Sequence, residues 1–96
     1  MKWIILPVGK FIEAKRLVSQ AFDAVVELYS GTLPEDPDAV LARAQGVWSK
    51  FLELAVEPGG VDPSLALVSE MTPDQIKDAA HDFFVHQAGK AQKSTA

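Results

Sequence analysis

Residues 10–30 read KFIEAKRLVSQAFDAVVELYS, and this stretch decides the fold. Its apolar residues recur at spacings of three and four, as in an α-helix that buries one side. On a helical wheel they cover an arc of about 200°. Gly31 follows at the position where many helices end in a left-handed residue. The pattern therefore predicts a first helix over residues 10–30.

A second helix is predicted from Pro37 to about Val56. Asp36 can cap it, and Pro37 suits the first helical position because the N–H that proline lacks would have no partner there. Apolar residues between Val40 and Ala55 fall on one face of this helix. The Pro-Gly-Gly sequence at 58–60 then ends it.

The third predicted helix has the clearest start signal in the chain. Thr72 and Gln75 have the spacing of a capping box. Met71 and Ile76 occupy the two positions of a hydrophobic staple. We expect this helix to end near Gly89.

The remaining segments complete an all-α fold. Residues 1–9 form an apolar, extended N-terminal arm that must pack on the helices, since an isolated strand is unstable. Residues 62–70 fit either a strand or a short helical turn, and the helical turn is favoured. We therefore predict one domain over residues 1–89, a small bundle of three main helices with the arm. The polar tail, residues 90–96, is expected to be disordered.

Composition narrows the possible functions. The chain has 96 residues and a formal net charge of -4, with a pI of about 5.0, which argues against a nucleic-acid-binding surface. It contains no cysteine, so disulfides, thiolate nucleophiles and sulfur-ligated zinc are excluded. The sequence has no run of about 18 apolar residues that could span a membrane. The cytoplasm is the expected location.

The sequence contains no pattern that indicates catalysis, a metal site or a cofactor. His81 and His86 would lie about 140° apart on a helix, whereas a helical pair of metal ligands needs a spacing of three or four. Asp78, His81 and Asp82 could hold a loose divalent ion, but a fourth ligand is missing and a solvated polar face is the favoured interpretation. No serine lies in a Gly-x-Ser-x-Gly turn. We therefore expect a protein that is not an enzyme and has no metal and no cofactor.

The first helix has more apolar surface than one side of a small bundle requires. Either it is central and buried on two sides, or part of its apolar arc faces another protein chain. Trp3 in the arm is a candidate anchor for a partner, because tryptophan is enriched at binding hot spots. The other candidate partner-binding residues are Ile12 and Val26, at the edge of the arc, and Val85, on the polar side of the third helix.

Three stretches together resemble phage tail assembly chaperones. They are ILPVGKFIEAKRLVSQAFDAVVEL at 5–28, PDAVLARAQGVWSKFLEL at 37–54 and AHDFFVHQ at 80–87. The resemblance lies in chain size, the order of the helices and the late Phe-Phe helix. It implies a protein of the host cytoplasm that binds the long tape measure protein, keeps it soluble and helps tail-tube subunits assemble around it.

Two other functions fit the same residues. A small acidic inhibitor or regulator of the phage type would block a host protein or a nucleic-acid-binding complex by imitating phosphates with its carboxylates. Basic residues dilute the acidic ones here, which weakens that interpretation. A self-assembling structural subunit would instead form a symmetric homo-oligomer and need no client. None of these interpretations calls for a nucleic acid or a membrane as partner.

Overall fold

The computed structural model describes the backbone of residues 1–95 and the side chains of residues 1–89. Within residues 1–95 the chain has no β-strand, and its extended segments form a single antiparallel bridge between Trp3 and Val56. The predicted all-α fold with three main helices is confirmed. These helices are α1 (Val8–Leu28), α2 (Pro37–Ala55) and α3 (Pro73–Thr95), and two short 3-10 turns, Pro63–Leu65 and Val68–Glu70, connect α2 to α3.

The predicted start signals of α2 and α3 are confirmed. The carboxylate of Asp36 accepts a hydrogen bond from the N–H of Ala39 at 3.1 Å, which caps α2. In the capping box of α3, the N–H of Thr72 donates to Gln75 Oε1 at 2.8 Å, and the N–H of Gln75 donates to Thr72 Oγ1 at 3.2 Å. Local polar spacing was therefore sufficient to place both helix starts.

Three helix boundaries differ from the prediction. α1 begins at Val8, two residues early, because the carbonyl of Pro7 already accepts from the N–H of Phe11 at 2.9 Å. It ends at Leu28, before Ser30. The predicted end of α3 near Gly89 is wrong: Gly89 continues the helical backbone, and the helix extends to Thr95. The disorder predicted for residues 90–96 stays a prediction. The side chains of these residues, and the backbone of residue 96, lie outside the described part of the chain.

The core lies where α1 and α2 pair and α3 packs against them. Its largest fully buried side chains are Trp48, Phe51, Ile76 and Phe83. The indole N–H of Trp48 donates to the carbonyl of Leu65 at 2.8 Å, so the core also anchors the first 3-10 turn. The expected short helical structure in 62–70 is confirmed. Phe51 and Phe83 are core residues, whereas Phe22 is only half-buried.

The N-terminal arm pairs with the last residue of α2 and with the backbone just after it. The N–H of Ile4 donates to the carbonyl of Ala55 at 2.7 Å, and the N–H of Glu57 donates to the carbonyl of Lys2 at 2.9 Å. Lys2 also donates from its N–H to the carbonyl of Gly60 at 3.1 Å. A Cβ on Gly60 would come within 2.7 Å of Lys2 Cβ, so the glycine permits this close approach.

On its other side the arm is held by α3. Gln87 Nε2 donates to the carbonyl of Ile4 at 2.6 Å, and Gln87 Oε1 accepts from the N–H of Leu6 at 2.9 Å. A single buried amide side chain therefore satisfies two backbone groups of the arm. The arm thus occupies the gap between the end of α2 and α3, as its apolar sequence required. Among residues 1–95, no helix has both the length and the apolar character needed to cross a membrane.

Candidate functional site

The structure corrects one of the four candidate partner-binding residues. Trp3 is only 8% exposed, and its ring centre lies 5.4 Å from that of Phe83 and 5.9 Å from that of Phe51. Its indole N–H donates to Asp82 Oδ2 at 2.8 Å. Both the apolar body and the polar edge of the tryptophan are therefore satisfied within the fold. Trp3 is a core residue and is removed from the candidate surface.

The other three candidates are exposed but do not form one surface. Ile12 is 46% and Val26 44% exposed, and the two lie within about 40° of each other on α1 and about 21 Å apart along its axis. Val85 is 53% exposed on α3. It lies about 160° around that helix from the buried Phe83. Val85 is therefore an isolated apolar residue on the outward side of α3.

Ile12 and Val26 belong to a larger exposed surface that we call the outer face of α1. Residues seven apart in a helix are nearly two turns apart, so they form rows parallel to its axis. The outer face has three such rows. The middle row is Ile12, Ser19 and Val26; the α3-side row is Val8, Lys15, Phe22 and Tyr29; and the α2-side row is Arg16 and Asp23.

The outer face is apolar at both ends and polar in the middle. Val8 is 76% exposed at the start of α1, and Tyr29 is 66% exposed immediately after its last residue. The four polar residues at the centre of the face are all exposed, whereas Phe22 is half-buried. From Val8 to Tyr29 the face is about 32 Å long. Sequence reasoning missed Val8 because the predicted first helix began at residue 10, two residues after it.

Two grooves border the outer face. A groove of about 250 Å³ separates α1 from α3 and is lined by Val18, Ser19, Phe22, Ile76, Lys77 and Ala80. A groove of about 320 Å³ separates α1 from α2 and is lined by Gln20, Asp23, Ala24, Glu27, Arg43 and Val47. The first is mainly apolar with an ammonium group at its edge, while the second contains the ion pair between Arg43 and Glu27 at 2.9 Å. The two sides of the outer face therefore differ in chemistry.

The polar residues of α3 considered for a metal do not gather into a site. The carboxylate of Asp82 accepts the indole hydrogen bond of Trp3. Within the described residues, no three His, Asp or Glu side chains converge as a metal would require. Hydrogen bonds from the backbone N–H and the hydroxyl of Ser64 lower the pKa of Asp62, but this carboxylate caps a 3-10 turn outside the outer face.

No family model, no curated protein and no solved structure matches this chain. A function must therefore be argued from the residues themselves. The outer face of α1 offers apolar contact, charge and an adjoining groove. This combination suits the binding of another protein.

Proposed function

We propose that this protein acts by binding another protein, without catalysis, and that it is a phage tail assembly chaperone whose client is the tape measure protein. The observation that carries the proposal is the outer face of α1. Large apolar side chains that are aligned along an exposed helix are typical of interaction surfaces. The four exposed ones here are Val8, Ile12, Val26 and Tyr29.

An amphipathic helix of the client fits this surface physically. Such a helix would lie along α1 and place apolar side chains against both ends of the outer face. Since Ile12 and Val26 are about half exposed, covering each contributes roughly 1 kcal/mol. The groove beside Phe22 can accept a further apolar side chain, and Lys77 at its edge can pair with a client carboxylate. The net charge of -4 keeps the uncomplexed chaperone soluble in the host cytoplasm.

The acidic-inhibitor alternative has less support. Phosphate imitation requires carboxylates that are free to face a partner, yet Glu27 is paired with Arg43 at 2.9 Å. Asp36 accepts the capping hydrogen bond of α2. The carboxylates of Glu27 and Asp36 therefore have structural roles, which leaves fewer acidic groups free to imitate phosphates.

Capture from phage-infected cells tests the proposal. The tagged wild-type chain is expected to retain a very long, helix-rich protein or a tail-tube subunit, identified by mass spectrometry. Ile12→Asp and Val26→Asp each place a charge in the apolar contact and should abolish that capture. Val85→Asp is the matched control, because it makes the same kind of change at an exposed valine outside the outer face.

Each result of this experiment has a distinct meaning. Capture that survives both α1 substitutions contradicts the assignment of the outer face as the client surface. Recovery of a host enzyme or a nucleic-acid-binding complex in place of a tail protein would support the inhibitor function instead. All three variants change exposed positions, so their unfolding free energies should stay within about 1 kcal/mol of wild type.

A further inference from the structure

We propose that a second copy of this chain covers the outer face of α1, with the two α1 helices antiparallel and crossing at Ser19. The proposal rests on the order of residues within the three rows. A two-fold axis through Ser19, perpendicular to α1, reverses the direction of the helix. The same axis keeps the α3-side rows of the two copies facing each other, and likewise the α2-side rows. Each row must therefore be complementary to itself when read backwards.

The middle row meets this requirement. Ile12 and Val26 are each seven residues from Ser19, so Ile12 of one copy lies opposite Val26 of the other. Both side chains are about half exposed in the single chain and would be covered by the pairing. Ser19 lies at the crossing point and is exposed. Its small side chain permits the close approach that two packed helices need.

The α2-side row supplies charge complementarity. Arg16 lies three residues before Ser19 and Asp23 four residues after it, so each Arg16 meets the Asp23 of the other copy. Both side chains are exposed. Neither has an ion-pair partner among the described side chains, where the pairs are Lys10 with Glu13 and Arg43 with Glu27. Two-fold symmetry therefore forms two intermolecular ion pairs at once.

The α3-side row is also complementary to itself in the antiparallel pair. Lys15 lies four residues before Ser19 and Phe22 three after it, so the ammonium group and stem of Lys15 pack on the partially exposed ring of Phe22. At the ends, Val8 meets Tyr29, and both are strongly exposed in the single chain. All three rows thus match an antiparallel copy.

A parallel pair of α1 helices does not have this complementarity. A two-fold axis parallel to the helices would instead place the α3-side row of one copy against the α2-side row of the other, so that Lys15 meets Arg16 on both sides and Phe22 meets Asp23. The charges on the outer face therefore select the antiparallel arrangement.

The second copy uses the surface that we assign to the client. Client binding must then displace one copy, so the dimer protects the apolar face until the client is present. This consequence rests on the proposed function, whereas the dimer itself does not. Both can be tested separately, because self-association is measured with no client in the solution.

Sedimentation equilibrium on the full chain tests the dimer through charge reversal. Arg16→Asp and Asp23→Arg each replace both ion pairs with like-charge contacts, and each should raise the dimer dissociation constant about tenfold or more. An equimolar mixture of the two variants should recover wild-type affinity, because every contact between them again joins opposite charges. Lys50→Asp and Asp78→Arg make the same charge changes at exposed positions outside the outer face and should leave the dissociation constant unchanged.

A cysteine at the symmetry axis gives a second measurement. The chain has no cysteine, so Ser19→Cys introduces one thiol per copy, and mild oxidation should link two copies in a non-reducing gel. Ser69→Cys is the control at another exposed serine. A wild-type chain that remains monomeric at all concentrations overturns the proposal. A dimer whose affinity the mixture of charge variants does not restore, or that the controls weaken equally, also overturns it.

Discussion

Replacing Gln87 with methionine tests whether one side chain holds the N-terminal arm in place. Methionine has a similar length and a similar helix propensity, so the change removes mainly the two hydrogen bonds. These bonds, 2.6 Å to the carbonyl of Ile4 and 2.9 Å from the N–H of Leu6, satisfy partly buried backbone groups. At about 0.5–1.5 kcal/mol each, their loss should lower the free energy of unfolding by about 1–3 kcal/mol.

Urea denaturation followed by circular dichroism measures this loss, and hydrogen exchange at the Leu6 amide locates it. We expect faster exchange at Leu6 even where the global change in stability is small, because the arm opens locally. Gln20→Met is the matched control at an exposed position of α1 and should change stability by less than about 0.5 kcal/mol. An unfolding free energy within that margin for Gln87→Met, with Leu6 still protected, would refute the reasoning.

Gln87→Glu adds a pH signature to the same test. At neutral pH the introduced carboxylate can still accept from the N–H of Leu6, but it has no proton to donate to the carbonyl of Ile4. Burial and that carbonyl oxygen both disfavour its charged form, so folding should raise its pKa. Stability relative to wild type should then be best in acid and fall as the pH rises through the raised pKa. The methionine variant should show no such dependence.

The remaining predictions concern two glycines, one helix cap and one 3-10 turn. Gly46→Ala should stabilise the protein by about 0.5–1 kcal/mol, because this exposed mid-helix glycine has nothing within 4 Å of an added Cβ. Gly60→Ala should instead destabilise it by about 1–3 kcal/mol, measured by urea denaturation, because the added Cβ would push the arm away. Thr72→Ala removes the cap of α3 and should cost about 1 kcal/mol in the same assay. The lowered pKa of Asp62 implies that its cap stabilises the fold at pH values above the ordinary carboxyl pKa. That stabilisation is lost as the pH falls through the lowered pKa. Ser64→Ala should therefore raise the pKa of Asp62 in an NMR titration.

Features encoded within a few residues could be predicted from the sequence. The caps at Asp36 and Thr72 depend on spacings of three residues, and both hydrogen-bond patterns form as expected. The apolar face of α2 is likewise a local periodicity, and its predicted members are buried or half-buried. Helix identity and the all-α class follow from such patterns because propensity, capping and burial agree.

Features that depend on distant residues could not be predicted. The enrichment of tryptophan at binding hot spots makes Trp3 a candidate anchor. Its actual hydrogen-bond partner, Asp82, lies 79 residues away along the chain, so no local pattern indicates it. The same holds for Gln87, because the backbone groups that its buried amide binds belong to the arm, more than 80 residues away along the chain. The candidate surface was predicted in part: Ile12 and Val26 are exposed, but their relation to Val8 and Tyr29 requires knowing which side of α1 faces the other helices.

Both proposals place binding on the side of α1 opposite its buried side, so a loss of binding can be separated from a loss of stability. The inner side buries small residues such as Ala14, Ala21 and Ala24, so folding depends on that side and little on the exposed rows. A charge reversal at Arg16 that abolishes the dimer while the urea midpoint stays constant would locate self-association on the outer face. Client capture by that variant then shows whether the client binds the single chain or the dimer. Improved capture means that copy and client compete for one face, whereas loss of capture together with the dimer means that the dimer itself is the binding form.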